Sequence, residues 1–241
     1  MRFNNKQVTQ GQRKQLKADI LQIIETLKME LLNHNDVLSR KDHNEYRIGF
    51  SNHFEKEQNT VPFIIVETIV VYKPYPVKEM EVSNYITKYL NKNNQMNLIK
   101  QYHLEPFKML VQTIERTLID KLFAICDYHL QKKYFRHSRH IYDLHKMWTS
   151  KLIDEKLIEN IIDDVIKDRQ IHGKQNLSCN PGENPQSILH EIVNTNPYKE
   201  DYESVTTTLV HQKLTYLECI ESINEIYNRG ILPTIIKNYR E

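Results

Sequence analysis

In the segment RTLIDKLFAICDYHLQKKYFRHSRHIYDL, residues 116–144, an apolar stripe at helical spacing runs Ile114, Leu118, position 121 and Ile125, and position 121 is Lys121. A charge on that face must snorkel outward or point into a polar cavity. The turn KKYFRHSRH supplies Lys132, Lys133, Arg136, His137, Arg139 and His140, and the next helical stretch puts Ile141, Leu144 and Trp148 on its apolar stripe. A second face carries Arg136, Arg139 or His140, Asp143 and Lys146. Two helices joined by a short turn lie antiparallel, which would bring Lys121 towards Asp143. A lysine, arginines and an aspartate suit a polyphosphate: arginine offers forked donors, lysine a point charge, and aspartate can orient a metal or an attacking group. The plainer alternative is a lysine reaching past the core edge beside an ordinary Arg139–Asp143 pair worth ~0.2–0.5 kcal/mol. Spacing alone does not choose between them.

The elements that must position these residues differ along the chain. Residues 8–32 place Leu16, Ile20, Ile23, Ile24, Leu27 and Leu31 at helical spacing, which predicts an amphipathic helix. EYRIGF alternates Tyr46, Ile48 and Phe50, and residues 61–72 form a β-branched run, so the two read as antiparallel strands of one sheet, the second ended by KPYP. A shorter strand is expected over residues 107–111, and from there the patterns are helical. The interruption at 168–186, with two prolines and two glycines among polar residues, reads as a long loop, followed by a short helix and a long one carrying Leu209, Leu217, Ile220 and Ile223. The expected fold class is α+β, a small mixed sheet with helices over residues 1–112 followed by a helical domain over 113–241.

Composition removes several function classes. The hydrophobic fraction of 39% comes with no apolar run near the ~20 residues of a membrane span, so no membrane partner is expected. Lys and Arg number 33 against 31 Asp and Glu, so any nucleic-acid surface must be local. Cys126, Cys179 and Cys219 lack metal-ligand spacing, the N-terminus lacks an apolar signal region, and a reducing cytoplasm is the expected compartment. The eleven histidines form no zinc spacing, and five glycines build neither a Walker loop nor a GxGxxG turn. Fourteen tyrosines would signal nucleic acid only if their rings cluster beside the basic turn.

TIERTLIDKLFAI, followed by RHSRHIYDL, resembles the paired "ERT..EK" and "R..RD.YDL" helices of the AbiEii/AbiGii toxin family of nucleotidyltransferases. VPFIIVETIVVYKPYP is similar to that family's strand ending in a carboxylate, and DYESVTTTLVHQKLTYLECIESIN resembles its C-terminal helix. The resemblance implies transfer of a nucleotide from a nucleoside triphosphate, with Mg2+, to an acceptor such as a transfer RNA end, within a toxin–antitoxin or phage-defence system. It implies that Lys121 binds triphosphate, that Asp143 completes the pocket, and that Glu67 is a third carboxylate assisting a metal or the acceptor hydroxyl. Arg116, Arg136, Arg139 and His140 would contact the nucleotide, and a cognate antitoxin is an expected partner.

The sequence departs from the family pattern twice. His140 stands where an acidic residue follows the arginine, and no glycine-rich loop followed by a D-x-D strand occurs; KDHNEY at 41–46 is too polar and turn-like to replace it. The resemblance therefore implies a chain that starts downstream of half its active site and is weakly active or inactive as given. A degenerate binder, or a strand supplied in trans, are the related readings. A non-catalytic helical module whose basic turn binds RNA or an antitoxin is the alternative.

Overall fold

The computed structural model describes residues 8–38, 42–51, 61–70 and 75–239. The first helix, α1 (Gln10–Thr26), starts at a Thr9 capping box closed by Gln12. It is shorter than its apolar pattern: Lys28 turns left-handed at φ 53°, and Glu30–Leu31 leaves as strand β1. The expected stripe is correspondingly split, with Ile24 buried but Ile23 and Leu27 exposed. β1 pairs antiparallel with β2 (His43–Gly49), and β2 with β3 (Phe63–Ile69), in the order β1-β2-β3. This is the strand pair expected from residues 46–50 and 61–72; the expected end of the second strand at Val71 and Tyr72 lies outside the described residues. Ile24, Val37, Tyr46 and Ile48 form a small core between α1 and this sheet.

β4 (Val77–Val82) was not legible as a strand, because VKEMEV carries three charges that depress β propensity. It pairs antiparallel with β5 (Phe107–Gln112), the expected strand at 107–111, as a second, two-stranded sheet. Between them lie α2 (Tyr85–Lys92) and α3 (Met96–Gln101).

From Thr113 onward the described chain is helical, so the fold class is mixed α+β as expected. The elements are α4 (Ile114–Leu130), α5 (Arg139–Thr149), α6 (Glu155–Gln170) and α7 (Pro185–Thr195). Then come the short α8 (Lys199–Asp201), a π-helical turn at Tyr202–Thr206, α9 (Thr207–Leu209) and α10 (Tyr216–Asn228). The long C-terminal helix expected from 201 is thus broken after Leu209. Thr215 and Glu218 form a capping box that starts α10 afresh, leaving Leu209 and Leu217 exposed while Ile220 and Ile223 stay in the core. The loop at 168–186 is shorter than its composition suggests, since α6 runs to Gln170 and Leu177–Cys179 forms a 3-10 turn. α4 is the centre of the main core: Leu118, Ile119, Leu122, Phe123, Ile125 and Cys126 have no exposed surface and pack with Ile141 and Leu144 of α5.

Candidate active site

α4 begins at Thr113, whose hydroxyl accepts from the Arg116 amide, and its buried face is so complete that Lys121 is carried to the rim. There the ammonium of Lys121 donates to Asp143 Oδ2 at 2.7 Å and lies 3.3 Å from His140 Nδ1. The lysine side chain retains 24% of its exposure and the aspartate 42%, so the pair is accessible to solvent rather than sealed. An ammonium has three N–H groups; two are directed at Asp143 and His140, leaving the third for an incoming oxygen.

His140 is neutral here. Burial first, and then the charges of Lys121 and Arg139 and the neighbouring His137, lower its pKa from 6.5 to about 3. With Nδ1 facing an ammonium, the proton of the neutral ring belongs on Nε2, which makes that atom a donor. The ring is held in a near-parallel group: Tyr128 and His137 stack at 3.7 Å between centroids, and His140 lies 5.8 Å from Tyr128. Burial and the charge of Arg139 lower His137 as well. Asp201 accepts from the Arg136 amide at 2.8 Å and the Ser138 amide at 3.1 Å, so the basic turn is pinned to the helical core.

A folded pKa below the unfolded one means that the unfolded chain binds more protons in between. The contribution of His140 to stability is therefore complete above about pH 6.5 and is lost as pH falls towards about 3. Urea midpoints of the parent chain should drop between pH 7.5 and pH 5. His140→Gln should drop less; an equal drop in both would locate the acid sensitivity elsewhere.

The residues singled out from sequence fall into four settings. Lys121, Asp143 and His140 meet. Arg136 and Arg139 are exposed on the adjoining turn and first turn of α5, and the Arg136 guanidinium lies 5.8 Å from the Phe135 ring centre. Arg116 is instead drawn inward: it is 3% exposed, with Asp120 at 3.0 Å, Asp168 at 3.7 Å and the Tyr75 carbonyl at 2.9 Å. These contacts make it a brace between α4, α6 and the segment before β4. Glu67 lies on β3, directly across from Glu45, and its carboxylate meets His43 Nε2 at 3.0 Å. Among the described residues no ion pair joins Glu67 to Lys121.

A resident divalent metal asks for gathered carboxylates. Among the described residues no group of three His, Cys, Asp or Glu side chains is arranged to hold one, so the donor set here does not fit a metal site. The roomier clefts also lie elsewhere. One of about 870 Å³ is lined by Trp148, Ile153 and Glu225, and another of about 720 Å³ by residues 170–180. Neither contains Lys121; a triphosphate is held by convergent cations more than by volume, so the charge geometry is the better guide to the site.

Sequence reasoning missed a buried polar network that ties α4 to α6 and the 3-10 turn after it. Asp127 on α4 accepts from Arg169 at 2.6 Å and from the Ser178 amide and hydroxyl at 2.8 and 2.7 Å. Burial pushes the Cys179 thiol up to about 12 and the Cys126 thiol well up, so both stay protonated packing groups.

A family model described as nucleotidyl transferase AbiEii toxin, type IV TA system, matches residues 5–223. No curated protein and no solved structure matches the chain. No described helix is long and apolar enough to cross a membrane.

Proposed function

The chain belongs to the AbiEii nucleotidyltransferase toxin family of type IV toxin–antitoxin systems, and from that premise we propose that the Lys121–Asp143–His140 cluster receives the triphosphate of a nucleoside triphosphate for transfer of a nucleotide to an RNA acceptor such as transfer RNA. The observation that carries this reading is the lysine ammonium held against Asp143 at 2.7 Å and the neutral His140 at 3.3 Å, which by valence leaves it a third N–H to donate. Asp143 fixes the ammonium without removing its charge, and the Nε2–H of His140 adds a neutral donor beside it. Arg139 and Arg136 extend the cationic surface towards the remaining phosphates. A cytoplasmic setting and a cognate antitoxin accompany this reading.

In this chemistry Mg2+ spreads the charge that develops on the transferred group. The described residues gather no carboxylates for it, Glu67 being engaged with His43, so no step is assigned to a metal here. Slow transfer by the chain as given follows, because positioning and charge neutralisation supply most of the rate in phosphoryl-type reactions.

The test incubates the 241-residue protein with transfer RNA, Mg2+ and each labelled nucleoside triphosphate in turn. Weak incorporation from one nucleotide, abolished in Lys121→Ala, is the expected result. Robust incorporation would mean that the metal carboxylates lie among residues assigned no role here. No incorporation together with salt-sensitive RNA binding would favour the non-catalytic module.

A further inference from the structure

We propose that the outer face of α2 is a docking surface for single-stranded RNA, with Tyr85 and Tyr89 stacking on bases and Lys88 and Lys92 meeting the phosphates between them. These four residues recur at i, i+3, i+4 and i+7, so they share one face of the helix. Thr87 and Leu90 point the opposite way and are buried. Tyr85 is 88% exposed and Tyr89 64%. Rings at such positions contribute little to the core, and two of them side by side on one helix face form the kind of contiguous exposed patch that marks a contact surface.

Three observations select nucleic acid as the occupant. First, Lys88 Nζ already lies 5.6 Å from the Tyr85 ring centre, so cation and π-face are side by side. Second, residues 83–104 contain Lys88, Lys92 and Lys100 and no Asp or Glu, which makes the segment locally cationic in a chain of net charge only +2. Third, the surface is pre-organised. Asn84 caps α2 through the Thr87 amide at 2.8 Å, and the Thr87 hydroxyl donates to the Leu104 carbonyl at 2.6 Å, tying α2 to the end of α3. Aromatic rings interleaved with cations on a fixed scaffold are the means by which single strands are held without base-specific contacts. An acidic peptide would use the lysines but would leave two exposed rings uncovered.

The choice of RNA over DNA rests on the acceptor proposed above; the surface itself rests on the residues of α2. Binding is therefore measured without nucleoside triphosphate, by anisotropy of fluorescein-labelled twelve-residue oligouridine and oligoadenosine, so that transfer plays no part in the readout. Two stacked bases at ~1–3 kcal/mol each would make the pair Tyr85→Leu/Tyr89→Leu bind at least about tenfold more weakly, while Tyr85→Phe/Tyr89→Phe keeps the parent affinity. Lys88→Gln/Lys92→Gln should flatten the log affinity against log salt slope by about 1.4, the value for two single-strand phosphate contacts. Lys121→Ala should leave oligomer binding intact, so loss of transfer in that variant with binding kept bears only on the transfer reading. Parent affinity in the Leu pair, or no oligomer binding by the parent protein, would overturn the proposal. So would equal losses in the Leu and Phe pairs, because the phenyl ring keeps the stacking face.

Discussion

Asp127→Ala is expected to remove about 3–5 kcal/mol of stability, the range for breaking a buried ion pair by deleting one partner. Asp127 is 4% exposed and Arg169 7%, so the guanidinium left behind cannot turn to water. Its other carboxylate, Asp120, is 3.6 Å away and already bonded to Arg116. The same substitution strips the Ser178 amide of its acceptor inside the core. Because Asp127 sits on α4, Arg169 on α6 and Ser178 in the 3-10 turn after it, three separate segments lose their common tie. The effect should appear as a shift of the urea midpoint at unchanged slope. Asp127→Asn, which keeps an acceptor for Ser178 but not the charge, should fall between the parent and the alanine variant. A midpoint for Asp127→Ala close to that of the parent would show that the network contributes little.

That network illustrates which parts of the molecule could be read before folding. The paired stripes of α4 and α5 were legible because burial repeats with the helical period: Leu118, Ile125, Ile141 and Leu144 all lack exposed surface. Lys121 stood out because it interrupts that period, and Asp143 because the connecting turn is short. Asp127, Arg169 and Ser178 carry no such signal, since residues separated by 42 and 51 positions meet only through the packing of α4 on α6. The surroundings of Arg116, which the resemblance alone marked as a nucleotide contact, were equally hidden, because Asp168 comes from a helix distant in sequence. The position of Glu67 depends on strand register, which sets it opposite Glu45 and beside His43, and register is specified by two-sided packing that a short β-branched run does not reveal. The break before α10 was present in the sequence, as a threonine followed three residues later by a glutamate, and was overridden by the apolar spacing on either side.

The proposed triphosphate site depends on Lys121 above every other residue. A lysine donating to phosphate makes a charge-assisted hydrogen bond worth about 1.5–3 kcal/mol, so Lys121→Ala should weaken triphosphate binding by about 10- to 150-fold. The fold should be almost unaffected, because the Lys121–Asp143 pair is partly exposed and such pairs contribute at most about 1 kcal/mol. Lys132→Ala, on the exposed basic turn, removes the same charge without the same geometry and is the matched control. Titration calorimetry of each nucleoside triphosphate into the parent, Lys121→Ala and Lys132→Ala proteins at one salt concentration tests the claim most directly. At least one triphosphate should bind the parent and the Lys132→Ala protein alike and bind Lys121→Ala about 10- to 150-fold more weakly. Equal affinity in the parent and Lys121→Ala, or equal losses in both variants, would contradict it.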